Sequence, residues 1–178
     1  MVQYQNYFKE FIKYSARAKL STKSMQRALE LTQSVPQRAN DVGLIDSIEH
    51  YPGDKYKLGK IYRHDLFLVS EGDQQPVDRY VFLFNNKIML TEYDSNKEPP
   101  SRKHTATIRL DKYTVSTVKG QEDTLELKPN EPGLPQLRIR AKDINRMEIV
   151  RQAWLKDIQE MQEQQSLFLL LLHDFKPF

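Results

Sequence analysis

At HYPGDKY, residues 50–56, the spacing of apolar residues changes from the roughly 3.6-residue period of a helix to the roughly two-residue period of a strand, and after Ala141 it changes back. A chain ordered as helices, then strands, then a helix is confined to the α+β class. Pro52, Gly53 and Asp54 in succession supply turn chemistry. Residues 51–56 are therefore expected to link a helical segment, residues 1–50, to a sheet.

Seven short runs carry the strand pattern: 58–69, 79–85, 87–93, 104–110, 113–119, 124–129 and 137–141. They are rich in β-branched and aromatic residues, and EGDQQPVD, DSNKEPPSRK, GQED and PNEPGLPQ punctuate them. Such spacing predicts a seven-stranded antiparallel sandwich or partly open barrel. Within RYVFLFNNKIMLTEYD, residues 79–94, only Asn85 and Asn86 separate two strands, and asparagine tolerates the positive φ of a two-residue turn. Tyr80, Phe82 and Phe84 fall on one face of the first of these strands and Val81 and Leu83 on the other. One face is expected in the core and the other against neighbouring structure.

On the helical side, Tyr4, Tyr7, Phe8, Phe11 and Ile12 form one stripe of a first helix, expected to stop near Lys19. Ser21 or Thr22 is placed to cap a second helix through Met25, Ala28 and Leu29 and on to Ala39, Val42, Ile45 and Ile48. Pro36 interrupts that pattern, and in a helix interior proline costs ~3 kcal/mol, so a kink is expected. Two helices make a poor core alone. An amphipathic pattern that opens at residue 4 without a cap is expected of a helix begun earlier in a longer chain. At the other end, Met147, Val150, Trp154, Ile158 and Met161 form a stripe, and Asn145 with Glu148 has capping-box spacing. This helix is expected to plug the barrel with Trp154 as its anchor, burying ~150–250 Å².

Composition excludes several function classes. The formal net charge is +3, spread as +2 over residues 1–55, +3 over 56–142 and −2 over 143–178, too thin for a nucleic-acid partner. Without cysteine there is no disulfide, thiolate ligand or thiol nucleophile, which fits a reducing compartment and a cytoplasmic address. The longest apolar run, Leu167 to Leu172, falls short of the ~18 residues of a membrane span. His50, His64, His104 and His173 lie far apart, without metal-ligand spacing. The carboxylate pairs Glu122–Asp123 and Asp41–Asp46 read as solvated charge, and six glycines form no phosphate loop. No metal, cofactor or bond-breaking catalysis is expected.

The blocks KLGKIYRHDLFLVSEG, RYVFLFNNKIMLTEY and WLKDI resemble the pleckstrin-homology (PH) domain that follows a Dbl-homology domain in Rho-family guanine nucleotide exchange factors. YFKEFIKYS, ALELTQSVPQRAND and IEHYPGD resemble the last Dbl-homology helices and their junction. In detail, KLGKIYRHD, RYVFLFNNKIM, IRLDKY, EDTLELKPNEPGLP and RQAWLKDI are similar to the exchange module of giant muscle proteins of the obscurin type, and the likeness spans roughly residues 3–163. It implies a PH-like sandwich over 57–163, the end of a Dbl-homology domain over 1–50, and an atypical apolar tail over 164–178. The tail, SLFLLLLHDFKPF, departs from the family, as a truncated or alternatively spliced product or a faulty gene model would. If real, its exposed leucines are a docking or aggregation hazard.

For function, the resemblance implies a fragment of a Rho-type exchange factor. Exchange in that family rests on a glutamate, a basic residue and an asparagine that contact the GTPase. Of these only the asparagine has a counterpart, Asn40; the basic position falls on Gln3, and the glutamate helix lies before Met1. These residues are not expected to catalyse exchange. Phosphoinositide binding in PH domains uses cations of the first two strands, here Lys57, Lys60, Arg63 and Arg79. The second member of the expected pair is Val81 and the intervening loop is acidic, so attraction of ~1 kcal/mol per cation predicts weak, salt-sensitive membrane binding. The implied partners are a Rho-family small GTPase for the parent protein and cytoskeletal or sarcomeric proteins. The alternative reading is a muscle-cytoskeleton adaptor that docks proteins only.

Overall fold

The computed structural model describes residues 2–174. It divides into two compact units, Met1–Asp46 and Ser47–Phe178.

The first unit is a pair of helices, α1 (Val2–Arg17) and α2 (Lys23–Asp46), packed on each other. α1 stops two residues before the expected end. Lys19 takes φ +57 and the Leu20 amide bonds the Ser15 carbonyl at 2.9 Å, a left-handed closure that uses up the helix's last carbonyls. α2 continues through Pro36. The proline has no N–H for the Thr32 carbonyl, and Gln5 Nε2 of α1 donates to that carbonyl at 3.4 Å instead. Tyr4, Tyr7, Phe11 and Tyr14 of α1 are exposed, as are Leu31, Val35 and Val42 of α2. Ile48, expected on the second helix, lies instead on a two-residue strand, β1 (Ile48–Glu49).

The second unit contains all seven expected strands: β2 (Arg63–Glu71), β3 (Val77–Phe84), β4 (Lys87–Asp94), β5 (Ser101–Arg109), β6 (Tyr113–Val118), β7 (Gln121–Pro129) and β8 (Leu137–Ala141). With β1 they form one sheet in the order β1-β5-β4-β3-β2-β8-β7-β6. β2 pairs with both β3 and β8, which folds the sheet into a sandwich, and β1 and β6 are its edges. β2 starts five residues later than expected. Residues 55–57 make a 3₁₀ turn capped by Asp54, and Gly59 at φ +84 holds the chain out of strand geometry. The β3–β4 turn consists of Asn85 and Asn86, of which Asn86 takes the positive φ, +56.

α3 (Met147–Asp174) plugs the sandwich with Val150, Trp154, Ile158 and Met161, which join Phe67, Val81, Leu83, Ile88, Leu125 and Ile139 in one core. Trp154 meets Phe67 edge to face, centroids 4.9 Å apart. The capping box does not form: Asp143 Oδ1 accepts from the Asn145 amide, and Glu148 instead accepts from Gln152. Nor does the helix stop where the apolar tail begins, and Leu167, Phe168, Leu169 and Leu170 stand exposed along its extension. Among the described residues no helix is long and apolar enough to cross a membrane, and no three His, Asp or Glu side chains cluster as a metal site.

Candidate functional site

The strand register separates the cations that the sequence nominated for a headgroup. Arg79 stands opposite Phe67 on β2, whereas Arg63 stands opposite Leu83. The two positions are four residues apart along the strand, roughly 13 Å. Arg63 is committed to α3, with Nε 2.6 Å from Asp157 Oδ2. Arg79 Nη1 donates to the Asp78 carbonyl at 3.1 Å. Lys57 and Lys60 lie before β2 rather than on it. Lys57 Nζ is 3.6 Å from Asp54, and Lys60 Nζ sits 5.1 Å above the Tyr62 ring. Asn40 is exposed on α2, one turn beyond Pro36, next to an Asp41 whose carboxylate accepts from Gln37 at 2.7 Å.

Other cations of the sandwich also face its own carboxylates. Arg138 and Lys128 share Glu126, Arg140 meets Asp123, Lys142 meets Asp78, and Lys112 meets Glu131. Arg109 forks onto both oxygens of Asp111, and that hydrogen bonding holds the Asp111 carboxyl below its ordinary range. An incoming phosphate would have to displace these partners. That competition lowers the net gain from each cation.

Sequence reasoning missed the most elaborated cluster, on the outer face of β3 to β5. Arg102 lays its guanidinium 4.3 Å from the Tyr80 ring centroid and 5.2 Å from that of Tyr93. Its Nη1 donates to Ser47 Oγ at 2.8 Å, and its backbone amide to the Ser47 carbonyl at 3.0 Å. Tyr80 Oη lies 2.6 Å from His64 Nδ1. Burial pushes the Tyr80 phenol up, partly offset by the Arg102 charge, so it stays a neutral hydrogen-bonding group. β1 pairs with β5 at Arg102 and Lys103, Tyr51 meets the His104 ring edge on, and the Tyr62 amide bonds the Leu83 carbonyl. The segment from Ser47 to Tyr62 thus runs over the second apolar face, where Phe82, Phe84 and Met89 are fully buried. Neighbouring structure covers that face, as its sequence pattern required.

Burial holds the His104 imidazole below its ordinary value of 6.5. A histidine depressed in the fold contributes its full stability above the unfolded value and loses it as the pH falls through the folded one. Acidification below 6.5 is therefore expected to loosen the Tyr51 contact. NMR titration checks this: His104 titrates below 6.5, and His104→Phe removes the acid sensitivity while keeping the ring contact. A His104 value at or above 6.5 contradicts it.

The SOS1/NGEF-like PH domain model matches residues 56–161. The chain is 57% identical over 163 residues to the muscle M-line assembly protein unc-89 of Caenorhabditis elegans, an alignment covering 92% of this chain and 2% of that protein. With Rho guanine nucleotide exchange factor 25 of Mus musculus it shares 26% identity over 182 positions, 95% of this chain and 29% of the relative. The chain thus spans a small part of either relative. Among solved structures, the truncated linker-DH/PH domains of p115-RhoGEF superpose with a TM-score of 0.63 at 9% identity, covering 92% of this chain and 54% of that one. At that identity the likeness is one of fold.

Proposed function

The chain belongs, over residues 56–161, to the SOS1/NGEF-like PH-domain family, and we propose that it is the recognition part of a Rho-type exchange factor of the obscurin type: a PH domain behind the last two helices of a Dbl-homology domain. The observation that carries this reading is a complete PH fold preceded by a helix pair, in which Asn40 alone corresponds by resemblance to one of the family's exchange contacts. Exchange requires a surface that binds the nucleotide-free GTPase better than the loaded one. Within these residues that surface has an exposed amide at Asn40 and an uncharged Gln3 where the family has a cation. The residues therefore dock and do not exchange. The exposed aromatic stripe of α1 supports the helical assignment, because it is the face that further Dbl-homology helices would cover.

The membrane plays a minor part in this reading. Arg63 is held by Asp157, and Lys60 is stacked on its own tyrosine, leaving a weak, salt-sensitive attraction to anionic lipid. Proteins are the main ligands, and the likeness to a protein named for M-line assembly supports a sarcomeric, cytoskeletal address. That same likeness favours the second reading, an adaptor with no GTPase partner.

Loading of a fluorescent nucleotide onto a purified Rho GTPase tests the exchange assignment. The expected rate with this 178-residue chain is the uncatalysed one. Acceleration that grows with chain concentration would overturn the reading. Retention of nucleotide-free GTPase on the immobilised chain would exclude the adaptor.

A further inference from the structure

β6 is the terminal strand of the sheet, and unlike most natural edges it carries no charge and no proline: its residues are Tyr-Thr-Val-Ser-Thr-Val. Which of its backbone groups face outward follows from the register. The Asn130 amide bonds the Lys112 carbonyl at 2.9 Å, and Tyr113 stands opposite Pro129, which has no N–H to give. Hydrogen-bonded pairs in an antiparallel ladder alternate, so Thr114 and Ser116 bond β7 while Tyr113, Val115 and Thr117 present their N–H and C=O groups away from it. One of these outward groups already has a partner from α3: Gln162 Nε2 donates to the Tyr113 carbonyl at 2.7 Å and to the Leu110 carbonyl at 2.8 Å. Beyond Gln162, a groove of about 760 Å³ lies between this edge and the extension of α3. Its helical wall includes Leu167, Leu169 and Leu170, and of its two acidic lining residues Asp111 is already forked by Arg109 while Glu163 stands exposed.

We propose that this groove takes an extended segment of a partner protein, basic and apolar in alternation, as an additional strand on β6. Backbone pairing with Val115 and Thr117 supplies the register. Side chains on the strand face shared with Tyr113 and Val115 meet the leucines of α3, which requires them to be apolar. Those beside Glu163 are basic by charge complementarity. The same glutamate opposes a second copy of this chain, which would bring its own Glu163 into the contact. This surface is independent of the exchange and membrane assignments, and neither of their tests bears on it.

The test uses the full chain and a fluorescein-labelled heptapeptide in which lysine and valine alternate. Expected are saturable binding by fluorescence anisotropy and slowed amide exchange at Val115 and Thr117. A glutamate-valine peptide and a lysine-valine peptide with a central proline should bind about tenfold more weakly or not at all. Val115→Pro removes an outward N–H without touching the β7 ladder. Because Val115 is also a core residue, Leu169→Lys, on an exposed position, serves as the second variant. It should weaken the lysine-valine peptide by at least about tenfold. Absence of binding, binding without protection at Val115 and Thr117, equal binding to Leu169→Lys, or self-association of the chain through β6 would each overturn the assignment.

Discussion

Replacing Trp154 with alanine is expected to destabilise the sandwich by about 3–5 kcal/mol, the usual range for a large aromatic deleted from a packed core. The side chain is 2% exposed and meets Phe67 edge to face, so its removal empties the place where α3 closes the barrel. A loss of that size is a large part of the ~5–15 kcal/mol that holds an ordinary domain folded. Urea unfolding followed by far-ultraviolet circular dichroism would show a midpoint far below that of the parent chain. Trp154→Phe, which keeps a ring against Phe67, should recover much of the loss. If Trp154→Ala unfolds within about 1 kcal/mol of the parent, the plug is not the keystone of the core.

Arg102→Ala is expected to cost on the order of 2 kcal/mol, the sum of a desolvated cation on an aromatic face and a charged hydrogen bond. Its effect should be local. The guanidinium joins Tyr80, Tyr93 and Ser47, so its removal frees β1 and the segment after it, while the core strands around α3 keep their packing. Amide hydrogen exchange should rise at Ile48 and Glu49 and stay slow at Leu125 and Ile139. Arg102→Lys should rescue little, because a point charge on a flexible stem cannot lie flat on a tyrosine and reach Ser47 together. Unchanged exchange at Ile48 and Glu49 would show that the strand pairing holds the segment without the arginine.

What the sequence disclosed, it disclosed through period and turn chemistry. RYVFLFNNKIMLTEYD announces two strands and an asparagine turn because apolar alternation and positive-φ tolerance are local properties. The second apolar face of that hairpin also announced its burial, though not the identity of its cover. β1 left no mark, since two residues hold no period, and Ile48 simply continued the stripe of α2. The surroundings of the nominated cations were out of reach for a different reason. Lys57 and Lys60 were assigned to a strand that Gly59 delays, and Arg63 finds its partner Asp157 at a sequence separation of 94, where no local pattern reaches. Arg102 was invisible in the same way: its value lies in Tyr80, Tyr93 and Ser47 meeting across the sheet. At the helix start, Asn145 and Glu148 had the right spacing, but Asp143 reached the Asn145 amide first. The groove beside β6 had a faint signal, an uncharged edge strand followed by a helix that stays apolar past its plug.

The central proposal, that this module docks proteins and holds anionic membrane only weakly because Lys57, Lys60, Arg63 and Arg79 are already engaged within the fold, is tested most directly by sedimentation with phosphoinositide-containing vesicles at physiological salt. Parent chain and Arg79→Ala are compared side by side. The account predicts weak sedimentation that disappears as salt is raised and does not change with Arg79→Ala. Strong binding that persists at physiological salt and is lost in Arg79→Ala would contradict it.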